Sequence, residues 1–315
     1  MKPKTILLPT ALDEPVDRLV EMAALLARGS GARLHLFHAV VLETPYVVPT
    51  DGAAPIPTPE ELLDEKEKDA RSRLESARRA AVARGLEVEA TLRRGENAVA
   101  SILEHAAQCR PDLVVVSSHG RQGLRRLVLG SVAEELVRRA SWPVLVVRRD
   151  PELQLPGDAS RVLAAIDFSA LAGAVLTAAR DLAATLDREL DLLHVLHVPS
   201  SLSGAAQATP FGPVGPLPSA GSDPEERVAR CEERLRSAWD DAAGPTVPVR
   251  FFVRSGDPGT EILEHAREHD AGVLVLGTQG HSGLQRALFG SVCESVLRRA
   301  PCPVQVVPAG QTAAR

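Results

Sequence analysis

At 315 residues, with 44% hydrophobic and 24% charged positions, the chain is long enough for two ordinary soluble domains, each with its own core. Aromatic residues make up only 3%, so the cores are expected to be Val, Leu, Ile and Ala, which favours α/β layers over an aromatic-rich sandwich. The formal net charge of −5, with basic residues scattered rather than gathered on one stripe, speaks against nucleic acid, and no apolar run approaches the ~18 residues of a membrane span.

The start, Met1-Lys2-Pro3-Lys4, runs straight into Ile6-Leu7-Leu8 without a signal-peptide core. The four cysteines, Cys109, Cys231, Cys293 and Cys302, form no CxxC pair, which fits a reduced compartment. A cytoplasmic protein is therefore expected. In chain order the pattern predicts a strand over 4–10, a helix over 14–29, a strand over 33–40, a helix over 60–84 and a strand over 86–93. A helix over 97–108, a strand over 112–117, a helix over 131–140 and a strand over 143–148 complete the first half. Leu113–Val116 and Val273–Leu276 are unbroken aliphatic runs, as parallel strands covered on both faces require.

From Arg161 the same series begins again. Residues 117–147 match 277–307 at a constant offset of 160, and earlier in each half the offset is 156, pairing Leu36-Phe37-His38 with Leu192-Leu193-His194. The chain is thus a duplicated domain, with units expected at 1–150 and 161–315 joined by a linker over 151–160. Two Pro-, Gly- and Ser-rich stretches, 43–59 and 199–224, fall after the second strand of each half and read as loops. The fold class expected is α/β, two Rossmann-like open parallel five-stranded sheets with helices on both faces.

In the second half the strand ending at Gly277-Thr278-Gln279-Gly280 is followed nine residues later by Gly290-Ser291, which opens a helix. A helix N-terminus offers unpaired N–H groups and the positive end of the dipole, a natural seat for phosphate oxygens. Ser291-x-x-Glu294 also reads as a capping box that needs no ligand.

The spacing Gly277-x2-Gly280-x9-Gly290-Ser291, the Arg-Arg-Ala-x-x-Pro-Val-x-Val tail and the strand-end Asp167-Phe168-Ser169 together closely resemble the universal stress protein family, in its ATP-binding form. The likeness covers both halves except the loops and linker. It implies that Asp167 and Val195 contact the nucleoside and that Gly277, Gly280, Gly290, Ser291 and Val292 hold the phosphates of ATP, with Mg2+ left open as a companion ion. Gly120, Gly130 and Ser131 are the weaker counterparts in the first half. That half departs from the pattern at Ser117, opposite Gly277, and at Ala11, opposite Asp167, with Asp13 two residues on as a partial substitute. If position 277 needs positive φ, a Ser there costs roughly 1–2 kcal/mol, and a lost charged hydrogen bond costs about 1.5–3 kcal/mol more. The first half is therefore expected to be a degenerate copy, with the nucleotide held by the second.

No G-x4-G-K-[S/T] loop is present and no catalytic residue is assigned, so the expectation is an ATP-binding stress-response protein that holds its ligand. The alternatives are a weak ATPase or phosphotransferase, and a dimerisation module that binds nothing. Arg126 and Arg286 could reach phosphates but read more simply as solvent-facing, and Arg138-Arg139 and Arg298-Arg299 suit helix C-termini. His35/His38 and His194/His197 have H-x-x-H spacing, which on a strand puts the pair on opposite faces, so no metal site is expected. His119 in the loop could touch a ligand, while Cys302, opposite Trp142, reads as packing. The apolar last strands, Val144–Val147 and Val304–Val307, would be sticky edges unless paired. The resemblance implies that they pair with each other as an intramolecular pseudo-dimer, and a further homodimer stays open.

Overall fold

The computed structural model describes residues 2–12, 17–42, 58–118, 129–148, 155–157, 160–197, 223–278 and 290–309. The first half runs β1 (Thr5–Pro9), α1 (Asp17–Ser30), β2 (Arg33–Val40), α2 (Pro59–Ala83), β3 (Val88–Arg94), α3 (Ala98–Cys109), β4 (Leu113–Ser117), α4 (Ser131–Arg139) and β5 (Val144–Val147). The second runs β6 (Arg161–Ala165), α5 (Ala172–Leu186), β7 (Leu190–His197), α6 (Pro224–Asp241), β8 (Val249–Gly256), α7 (Pro258–Glu268), β9 (Ala271–Gly277), α8 (Ser291–Arg299) and β10 (Val304–Val307).

Within each half the strands are parallel and the spatial order is that of a doubly wound sheet, β3-β2-β1-β4-β5 and β8-β7-β6-β9-β10. The expectation of two separate five-stranded sheets is corrected. β5 and β10 pair antiparallel, with Val146 opposite Val304 and Val144 opposite Val306, and all strands join in one ten-stranded mixed sheet. The reason is the one that made those strands an edge hazard. Both are entirely buried, and each supplies the backbone partners the other lacks.

Each face of the sheet is covered by one cluster that crosses the seam between halves. One gathers apolar residues of α1, α2, α5 and α6, among them Leu26, Leu74, Leu176 and Leu235. The other gathers α3, α4, α7 and α8, among them Ile102, Leu136, Ile262 and Val296. Strands such as Leu113–Ser117 and Ala271–Gly277 are apolar at successive positions because helices lie on both sides of them. Cys302 is buried in the second cluster and Trp142 packs against it, the packing role expected of that pair. Arg138 pairs with Glu134, Arg139 with Glu135 and Arg298 with Glu294, all in the last turns of α4 and α8. Among the described residues no helix is long and apolar enough to cross a membrane.

Candidate functional site

In a doubly wound sheet the ligand crevice opens at the carboxyl ends of the strands where the winding reverses. In the second half this point lies between β6 and β9, which are hydrogen-bonded neighbours with Ala164 opposite Val275. The chain leaves β6 through Ile166, Asp167 and Phe168, and leaves β9 through Gly277 and Thr278. Asp167 and Gly277 therefore stand at the ends of adjacent strands, although 110 residues of sequence separate them.

The exit from β6 is a tight left-handed turn. Phe168 has φ 57°, and Asp167 Oδ1 accepts the Ser169 N–H at 3.0 Å, an Asx turn. Among the described residues Asp167 Oδ2 has no hydrogen-bond partner. The turn is fastened from β7. His194 Nδ1 lies 2.7 Å from the Ile166 carbonyl oxygen, which can only accept, so Nδ1 carries the proton. Its ring packs on Phe168 at a centroid distance of 4.4 Å. The first half repeats the device, with His38 Nδ1 2.7 Å from the Thr10 carbonyl oxygen and Leu12 at φ 59°. The sequence matched His38 with His194 and gave neither a role; their recurrence at one register of the duplicated strand was the available signal. Val195, the neighbour of His194 on β7, turns to the opposite face and packs on the α7 and α8 side.

On the other side of the crevice, the Thr278 carbonyl accepts the Gly290 N–H at 3.1 Å, which brings the start of α8 back to the end of β9. Gly290 is the N-cap, at φ −60° and ψ 140°, and no described side chain caps the helix. This corrects the capping-box expectation. Ser291 is the first helical residue, one position too late to cap, and the Glu294 N–H that a Ser291 cap would accept donates instead to the Gly290 carbonyl at 3.0 Å. The N–H groups of Ser291, Val292 and Cys293 thus lack intrahelical acceptors. At this position burial, with Glu294 adding to it, pushes the Cys293 thiol up to about 12, away from the thiolate form.

The first half is built alike, with Gly130 N–H donating to the Ser118 carbonyl and capping α4 by backbone alone. Ser117 pairs with Val147 as Gly277 pairs with Val307, and neither adopts positive φ. The strain argument against Ser117 is therefore overturned, and the difference that remains is the side chain itself. At the β1 exit, Thr10 Oγ1 accepts the Leu12 N–H at 3.2 Å, so the turn survives without Asp167's counterpart. Beside it lies a cavity of about 60 Å3 lined by Ala11, Leu12, His38, Lys66, Asp69 and Arg73 among others. Arg73, just before the buried Leu74, donates to the Leu12 carbonyl at 3.0 Å, whereas Arg234, just before the buried Leu235, lies 4.1 Å over the Phe168 ring. Gly120, Gly280, His119, Asp13, Arg126 and Arg286 lie outside the described residues.

A duplicated set of parallel strands, wound the same way in each half and joined through β5 and β10, defines a doubly wound α/β protein. The chain belongs to the universal stress protein family: the profile of that family matches residues 2–148 and again 159–308. A universal stress protein of Mycolicibacterium smegmatis is 29% identical over 304 residues, covering 92% of each chain. The universal stress protein YxiE of Bacillus subtilis is 32% identical over 154 residues, 47% of this chain and 98% of that one. Among solved structures, a universal stress protein from Archaeoglobus fulgidus superposes with a TM-score of 0.70 at 22% identity, covering 98% of this chain and 100% of that one, a likeness of fold.

Proposed function

We infer that the protein binds ATP as a held ligand, and that the second half is the half that binds it. The observation that carries this reading is the pairing, across one switch point, of an α8 N-terminus that no described side chain caps with an Asp167 carboxylate oxygen that no described residue engages. The backbone N–H groups of Ser291, Val292 and Cys293, with the dipole behind them, suit phosphate oxygens. Gly277 leaves the end of β9 open, and Asp167 and Val195 at the ends of β6 and β7 suit the nucleoside. Gly280, in the same loop, completes the phosphate-facing set by sequence. The first half offers Ala11 in place of Asp167, a Ser117 side chain at the strand end, and an Arg73 that ties α2 to the turn. Its Gly120, Gly130 and Ser131 keep only the helix-terminus part of the site. The reading is of a ligand held, with or without Mg2+, because no lysine follows Gly290 and the one thiol at the helix start is buried.

The test is mass spectrometry of nucleotide released by denaturing protein purified without added ATP. One adenine nucleotide per chain, reduced at least about tenfold by Asp167→Ala, is expected. No released nucleotide together with no rise in Tm on adding ATP would sink the reading, and two per chain would sink the asymmetry. Mg2+-dependent turnover abolished by Gly290→Ala, a substitution the backbone at φ −60° accepts, would replace holding with catalysis.

A further inference from the structure

At the amino-terminal edge of the sheet, the pole opposite the strand-end crevice, each half gathers three side chains at equivalent places. In the first half they are His35 on β2 and His105 and Cys109 on α3. In the second they are Asp191 on β7, His265 on α7 and His269 at the C-cap of α7. In each set, one ligand atom per residue lies within 4.8 Å of the others. His105 and Cys109 are four residues apart and share one face of α3, while His269 follows His265 by the same spacing at the C-cap of α7, its ring 4.2 Å from that of His265. Duplication preserved the place and changed the chemistry.

The second half has resolved its set as an ion-pair network. Asp191, 1% exposed, receives Arg161 Nε at 3.0 Å and Arg250 Nε and Nη2 at 2.9 and 2.7 Å. Two guanidiniums occupy the positions around the carboxylate that a cation would need, and their charge opposes one. The first half has Thr5 where the second has Arg161. It has Glu89 where the second has Arg250, since Glu89 stands opposite His35 as Arg250 stands opposite Asp191. Both cations have gone, and a carboxylate has arrived.

Among the described residues, what is left behind in the first half is short of hydrogen-bond partners. His105 is only 5% exposed, its ring stacks on Phe37 at 4.5 Å, and among the described residues neither ring nitrogen has a hydrogen-bond partner. His35 Nδ1 has none either; the nearest acid, Glu89 Oε2, lies 3.6 Å away, beyond hydrogen-bond length. Cys109 Sγ makes only a 4.0 Å contact with the carbonyl of Ala106 on its own helix. A buried imidazole with both nitrogens idle demands an explanation. Two imidazoles and a thiol, with a carboxylate alongside, form the donor set of a tetrahedral zinc site.

We propose that the first half binds a zinc-type divalent cation through His35, His105 and Cys109, with Glu89 as the adjacent fourth donor, and that the second half does not. On binding, the Cys109 S–H proton passes to solvent as the sulfur–metal bond forms, so metal uptake releases one proton per site from the thiol. The site is independent of the nucleotide reading and survives its failure.

The experiment is a Co2+ titration of full-length protein first freed of metal with chelator, followed by Zn2+ displacement. The expected result is one equivalent of Co2+ giving tetrahedral d–d absorption with a thiolate-to-cobalt charge-transfer band, both removed by Zn2+. Cys109→Ser should remove the charge-transfer band and weaken binding at least about 100-fold. His269→Ala, in the matching set of the second half, should leave stoichiometry and spectrum unchanged. Zn2+ should raise the Tm of the parent protein and not that of Cys109→Ser, whose fold is checked by far-ultraviolet circular dichroism. Absence of the band in the parent protein, or its persistence in Cys109→Ser, overturns the site. A second equivalent lost in His269→Ala overturns its restriction to the first half.

Discussion

Gly29 of α1 packs so closely on Thr185 of α5 that a Cβ at position 29 would sit 1.6 Å from the Thr185 carbonyl oxygen. The two helices belong to different halves, so this contact sets how closely the halves approach on one face of the shared sheet. The obstacle is backbone, which cannot swing aside as the end of a flexible side chain would. Gly29→Ala should therefore destabilise by about 1–3 kcal/mol, the range for overpacking, and lower Tm by about 1.5–4.5 °C for a chain of this length. Gly173→Ala is the control: it lies on α5, and a Cβ there meets nothing within 4 Å. Scanning calorimetry of both variants decides the matter, and equal Tm values would mean that α1 and α5 do not set the seam.

Asp191 should govern the response of the second half to acid. Burial on its own raises its carboxyl, but the His265 ring and the Arg250 and Arg161 guanidiniums outweigh this and hold it well below the usual carboxylate range. A carboxylate depressed on folding stabilises fully above its unfolded value, near pH 4, and that contribution is lost as pH falls from there through the depressed folded value. Asp191→Asn should thus cost about 3 kcal/mol at neutral pH, the low end for a broken buried pair, because Arg250 is half-exposed and can turn to water. Below pH 4 the parent protein should lose stability faster than the variant, by up to ~1.4 kcal/mol per pH unit. Urea unfolding across pH 2.5–7 reads this out; parallel curves for the two proteins would show that the carboxylate is not depressed.

How much of this was legible in the sequence can be argued residue by residue. The unbroken aliphatic run Leu113–Val116 declared a strand buried on both faces, and the structure ends β4 one residue later, at Ser117. The pairing of β5 with β10 was expected from the family resemblance and is borne out, but the apolar pattern alone says only that an edge wants a partner, so that this pairing makes one continuous sheet was not legible in it. Ser291 was read as a cap because Ser-x-x-Glu is a local rule. Local rules cannot see that the Thr278 carbonyl draws Gly290 N–H back to β9 and moves the cap one residue earlier. His35 was weighed against its strand neighbour His38, three residues on. Its partners are His105 and Cys109, seventy residues away, and no spacing rule reaches them.

The asymmetry of the two crevices leads to a gain-of-function prediction. Ser117 and Gly277 share one strand register with ordinary φ, so a Ser117→Gly substitution places no strained residue and removes only a side chain from the strand end. Ala11 precedes Leu12 as Asp167 precedes Phe168, both of them left-handed turns fastened by a histidine 2.7 Å from a strand-end carbonyl. An Asp at 11 thus enters a turn already shaped to present it. The double variant Ala11→Asp/Ser117→Gly should bind a second ATP, raising calorimetric stoichiometry from one to two per chain. Each added charged hydrogen bond contributes about 1.5–3 kcal/mol, roughly ten- to a hundredfold in affinity. The remaining obstacle is Arg73, whose bond to the Leu12 carbonyl ties α2 to the turn, so the new site should be weaker than the original until Arg73→Ala is added. If the triple variant still binds one nucleotide, the first half is closed by something other than these three side chains. If the parent protein already binds two, the halves never differed.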